Sequence, residues 1–226
     1  NSVTDFIPVA RVSDMLLNPG QKFDYDGREY TYPDIDLIYW AGGNPFHHHQ
    51  NLARLRKAWE KPSTVIANEW CWNALARHAD IVLPCTTTLE RQDIGMTPRD
   101  PFVISMDKAI EPIGEARNDY DIFAGIAHNM DTEDAFTEGR SAEEWQRWIW
   151  EQSRERAAKL NVKMPDYQSF RETGFYKSPE LNEDRIFLSE FFNDPDKNPL
   201  KTPSGKIEIF SKTIDSFNYD NCPGHP

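Results

Sequence analysis

The sequence predicts an α/β fold: a parallel, Rossmann-like sheet flanked by helices, with a small N-terminal hairpin and an irregular helical C-terminal segment. Three observations carry this prediction. Apolar runs at 35–41, 64–67 and 80–84 have the length and β-branched content of buried strands. Helix-like stretches at 50–59 and 70–78 separate them. Each run stops in turn or polar residues, so strands and helices alternate as right-handed crossovers in a parallel sheet require.

The elements follow in order. Val9, Val12, Met15 and Leu16 share one face of a short helix over 8–19, which Pro19-Gly20 ends. Lys22 to Tyr32 alternates around Asp26-Gly27, a hairpin signal. The strand at 35–41 comes next, then the helix Gln50 to Trp59. Lys61-Pro62 breaks the chain before the strand Thr64 to Ala67. Asp80 to Pro84 is the third strand, with proline at its exit. Phe102 to Met106 is a further short strand. Asp119 to Met130 is a helix capped by Asn118 or Asp119. Ser141 and Glu144 form a capping box at the head of a long helix over 141–160, where Trp145, Trp148 and Ile149 recur at helical spacing. Residues 161–205 are rich in Pro, Asn and Asp and read as an irregular segment, draped over its neighbour without a core of its own. Lys206 to Ser211 is a last strand, and Cys222 to Pro226 a loop. Residues 1–226 are expected to form a single domain.

Charge narrows the function classes. The formal net charge is −12, the wrong sign for phosphate-backbone binding, so nucleic acid is not an expected partner. No apolar run approaches the roughly 20 residues that cross a bilayer. The chain starts at Asn1 with neither an initiator methionine nor a leader pattern, so a section of something longer is expected. Its compartment stays open. The three cysteines, Cys71, Cys85 and Cys222, form no C-x-x-C pair, which argues against an iron–sulfur or structural zinc site. Cys71 and Cys85 read as small core residues.

In an open parallel sheet, ligands lie beyond the carboxyl ends of the strands. That rule selects three places: Gly42, Gly43, Asn44 and Pro45 after the first strand, Asn68 and Glu69 after the second, and Pro84 through Thr88 with Glu90 and Arg91 after the third. Asn68-Glu69 stands where an acidic residue accepts hydrogen bonds from ribose hydroxyls. Arg91 offers a planar fork for a phosphate or a carboxylate. The Gly-Gly-Asn-Pro turn departs from the G-x-G-x-x-G fingerprint, which counts against a nicotinamide dehydrogenase. His47, His48 and His49 diverge in direction and do not read as a metal site, although a single one can contact a ligand. No G-x-S-x-G elbow marks a hydrolase.

Several of these stretches resemble one family. Ile38-Tyr39-Trp40-Ala41-Gly42-Gly43-Asn44-Pro45-Phe46-His47-His48-His49-Gln50 is similar to a segment of the bis-molybdopterin guanine dinucleotide reductases, which act on dimethyl sulfoxide, trimethylamine N-oxide and biotin sulfoxide. So are Ala76 to Pro84 with Thr86-Thr87, Glu90-Arg91 and Asp93, the stretch Glu115 to Phe123, Ala135 to Gly139, Thr202 to Ile209, and Ser211 to Asp220. The later motifs lean toward the biotin sulfoxide reductase branch.

The resemblance implies a multidomain oxidoreductase in which two pterin dithiolenes hold molybdenum and an S-oxide or N-oxide gives up its oxygen atom to the metal. This chain would be the third domain, holding the guanosine end of one cofactor. Asn44, His48, Asn68, Glu69, Arg91 and Asp121 would be the cofactor contacts; Asp121 rests on the resemblance alone. No catalytic residue and no metal ligand is expected within the chain, because the resemblance puts the metal-ligating serine in another domain. The partners would be the remaining domains of the same polypeptide and a small oxide substrate. The isolated section is expected to be inactive and without its cofactor. A free-standing nucleotide-binding module of doubly wound fold is the alternative.

Overall fold

A computed structural model describes residues 5–98, 100–179 and 186–219. A 3-10 turn (Val9–Arg11) leads into helix α1 (Val12–Leu17). The hairpin follows as β1 (Lys22–Tyr25) and β2 (Arg28–Thr31), with Asp26 and Gly27 at φ 49° and 71°. Two consecutive positive φ values give the primed turn that suits a right-handed strand pair. Phe23 stacks on Tyr30 and Tyr32 along one face. The tip is tied to the far end of the chain: the Gly27 N–H donates to the Tyr219 hydroxyl at 2.5 Å.

The parallel sheet is β3 (Leu37–Ala41), β4 (Thr64–Glu69) and β5 (Ile81–Pro84), in that spatial order. The central strand β4 is the most buried, as a strand covered on both faces must be. Between β3 and β4 lie a helical turn α2 (Pro45–His48) and helix α3 (Leu52–Trp59). Leu16, Phe46, Leu55, Ala58, Trp59, Val65, Ala67 and Leu75 form the core here. The helix expected over 70–78 is reduced to a 3-10 turn, Ala76–His78. Trp70 and Trp72 stand about two-thirds exposed, and only the adjacent Leu75 and Ala76 are buried, too short an apolar face to support a full helix.

Of a second sheet, the sequence reading placed only the strand at Phe102–Met106. Strands β6 (Asp93–Met96), β7 (Phe102–Met106) and β8 (Phe175–Lys177) pair antiparallel in the order β6-β7-β8. Next come α4 (Asp119–Asn129), α5 (Glu133–Thr137) and α6 (Ala142–Lys159), whose capping box of Ser141 and Glu144 is formed as expected. Helix α7 (Tyr167–Thr173) is closed by Gly174 at φ 85°. Trp150, Tyr167 and Phe170 make a second core; the Trp150 and Phe170 rings stack 3.8 Å apart. The segment 161–205 therefore does carry core residues, contrary to expectation.

Helices α8 (Ser189–Asn193) and α9 (Lys212–Ser216) complete the described elements. The strand expected at Lys206–Ser211 is absent. Ile209 is fully exposed and Ile207 largely so, so the stretch buries no apolar face as a strand would, and among the described residues no strand pairs with it. The expected loop at Cys222–Pro226 lies outside the described residues. Cys71, read as a core residue, is exposed, while Cys85 is half-buried.

Candidate cofactor-binding site

The carboxyl ends of β3, β4 and β5 lie side by side: Ala41 is in register with Asn68, and Glu69 with Pro84. A fourth segment joins them. Cys85 and Arg117 form a parallel bridge, in which Arg117 N–H donates to the Pro84 carbonyl (3.1 Å) and Thr86 N–H to the Arg117 carbonyl (3.0 Å). The start of α4 is thereby set against the end of β5. Spacing alone gave no sign of this, and it is how Asp121 reaches the strand ends.

Asn68 and Glu69 are buried, at 4% and 8% exposure. Asn68 is fully engaged: its Oδ1 accepts from the Tyr39 hydroxyl (2.7 Å) and its Nδ2 donates to Asp119 Oδ1 (2.8 Å). Burial raises the Tyr39 pKa, so that hydroxyl keeps its proton at neutral pH. Glu69 differs. Its carboxylate has no hydrogen-bond or ion-pair partner among the described residues. The Cys85 thiol nearby is pushed up to about 11, first by burial and then by the negative charges of Asp119 and Glu69. This end of the sheet is short of donors.

Arg91 and Asp121 line one cavity of about 430 Å³, together with Glu90, Lys108, Glu111, Arg117 and Asn118. The Arg91 fork is spent internally, Nε on Asp93 (3.2 Å) and one terminal nitrogen on the Thr86 carbonyl (2.9 Å). Asp121 accepts one bond from Asn118 Nδ2 (3.1 Å) and is otherwise exposed to the cavity. Asn118 occupies the N-cap of α4 without a side-chain capping bond; its side chain joins Thr86 to Asp121 instead. Glu90 is the clamp of the loop. It accepts from the Thr87 N–H and hydroxyl and from the Ile113 N–H, and these bonds hold its carboxyl below the usual range.

Asn44 and His48 remain at the end of β3. Asn44 Oδ1 caps α2 through the Phe46 N–H at 3.0 Å, and His48 is exposed. Gly42 and Gly43, at φ 80° and 72°, turn the chain sharply enough to start that helix at once. No hydrogen bond or ion pair joins Asn44 or His48 to the other four positions. Sequence reasoning singled out Asn118 and Asp119 as caps but missed their bonds to the strand ends; no local pattern signals those. No group of His, Cys, Asp or Glu able to hold a metal occurs among the described residues, and no helix there is long and apolar enough to cross a membrane.

A second cavity of the same size lies between α1 and the hairpin. Its arginines, Arg11 and Arg54, are already paired with Asp14 at 3.3 and 2.5 Å.

The sequence pattern of the family described as molybdopterin oxidoreductase matches residues 13–129, more than half of the chain. The chain belongs to the molybdopterin oxidoreductase family. Within it, the chain is 44% identical to a biotin sulfoxide reductase of Cereibacter sphaeroides over 99% of its length. It is 48% identical to a dimethyl sulfoxide/trimethylamine N-oxide reductase of the same organism over 97%, and 44% identical to a trimethylamine-N-oxide reductase of Haemophilus influenzae over 97%. It spans only 30%, 27% and 27% of these relatives, and so corresponds to one section of such an oxidoreductase. Acetylene hydratase from Pelobacter acetylenicus shares the fold, with a TM-score of 0.54 and 21% identity over 86% of this chain and 24% of that one.

Proposed function

We propose that this chain is the section of an S-oxide or N-oxide reductase that holds the guanosine end of a molybdopterin guanine dinucleotide, with residues 1–226 acting as one unit. The observation that carries the reading is Glu69, a carboxylate at 8% exposure with no partner at the end of the central parallel strand. The residue is buried as a whole, but its carboxylate oxygens are not among the buried unpartnered atoms, so they stay open at the strand end, where the donors of a ligand can reach them. Guanosine supplies such donors as ribose hydroxyls and as the base N1–H and amino group. Asp121 offers a second acceptor facing the cavity. The residues present therefore fit the nucleoside end of that cofactor.

The bound cofactor would supply molybdenum, to which an oxygen atom is transferred; catalytic groups would come from the rest of the polypeptide. This chain's own part is to orient the cofactor and to exclude water from the nucleoside. Asn68, held by Tyr39 and Asp119, fixes the floor of the site. Asn44 and His48 would bound its β3 side.

Calorimetric titration with guanosine tests the reading. Glu69→Gln, and separately Asp121→Ala, should each weaken binding by about tenfold, the worth of one bond to a charged acceptor. Binding unchanged in both variants would remove these residues from the site.

A further inference from the structure

We infer that Arg117, rather than Arg91, takes the diphosphate of the nucleotide, an assignment that rests on the guanosine reading above. The cavity beside α4 is lined by three cations, Arg91, Lys108 and Arg117. Two are committed within the chain. Arg91 bonds Asp93 and the Thr86 carbonyl, and Lys108 pairs with Glu111 at 2.8 Å. Arg117 has no side-chain hydrogen bond and no carboxylate partner among the described residues, and it is exposed to the cavity.

Its backbone is nevertheless fixed. The bonds to Pro84 and Thr86 hold residue 117 as a fourth strand position beside β5. A guanidinium on a pinned backbone loses less freedom when it grips an anion than one on a loose loop does, and its planar fork suits two phosphate oxygens at once. Asp121, in the first turn of α4 and lining the same cavity, is left to the donor groups of the ribose or base. The cavity thus offers one uncommitted guanidinium, Arg117, for a phosphate and a carboxylate, Asp121, for the nucleoside.

The experiment is a calorimetric comparison of guanosine with guanosine diphosphate on the intact chain, with circular dichroism melts confirming that each variant folds. The unaltered chain should bind the diphosphate about tenfold more tightly than the nucleoside, a modest factor because the arginine is solvent-exposed. Arg117→Ala should bring the diphosphate down to the nucleoside's affinity and leave the nucleoside unchanged, while Arg117→Lys should keep part of the preference. A preference that survives Arg117→Ala overturns the assignment, as does equal binding of the two ligands by the unaltered chain. Those results leave the guanosine reading standing. Absence of any guanosine binding removes that reading, and the Arg117 assignment with it.

Discussion

At the scale of single residues, the site is built from carboxylates in three different states. Glu90 is saturated with donors, Asp121 has one, and Glu69 has none. The consequence for Glu90 is a pH-dependent contribution to stability. Its folded pKa lies below the ordinary value of 4.5. The contribution is therefore fully present above that value and is lost as pH falls through the depressed one. Glu90→Gln should melt at a lower temperature than the unaltered protein at pH 7, and the gap should narrow as pH falls from about 4.5 through the depressed folded value, below which both side chains are neutral. Melting curves across that range check it; a gap independent of pH would mean that the charge of Glu90 has no part in holding the loop. Sequence reading placed Glu90 and Arg91 in the loop after the third strand, where they stand. It could not tell that Arg91 is already consumed by Asp93, two positions away, because rotamer choice decides that and no spacing rule does.

At the scale of elements, the parallel sheet was readable, while of the antiparallel one only β7 was. The strands of the first come from apolar runs separated by helical stretches, a pattern contained within residues 35–84. Those of the second are three to five residues long, and β8 lies far along the chain from β7. Strands so short show too little alternation to declare a face. The cue that remained was aromatic: Phe170, Phe175 and Tyr176 sit in a stretch otherwise rich in polar residues, and Phe170 is fully buried under Trp150. Phe170→Ala should cost about 3–5 kcal/mol, the usual toll for emptying a fully buried aromatic position. Hydrogen exchange of the β8 amides should accelerate in the variant, while β3 to β5, which belong to the other core, keep their protection. Unaltered β8 protection would show that the ladder with β7 alone holds the strand. Helices α4 and α6 were placed well because each has a long periodic stretch behind a polar cap. The 70–78 assignment failed where only the adjacent Leu75 and Ala76 are buried, and the 206–211 assignment where Ile207 and Ile209 stay exposed.

At the scale of the whole molecule, the contact between the hairpin and the far end of the chain has the greatest reach. A β-carbon added at Gly27 would lie 2.6 Å from Phe217 Cε1, and φ at that position is 71°. Gly27→Ala should thus cost at least about 1 kcal/mol from backbone strain and crowding combined. A fall in melting temperature, with faster exchange at residues 217–219, checks it; an unshifted melt would mean that the Phe217 ring swings aside freely. What this contact does for the polypeptide is topological. Positions 27 and 217–219 nearly span the described chain, yet they touch. Phe6 packs edge-on against Tyr25 and Tyr30 of the same hairpin, so the two ends of the described residues meet there, and a unit whose ends lie together can be set within a longer protein without parting the host's own strands.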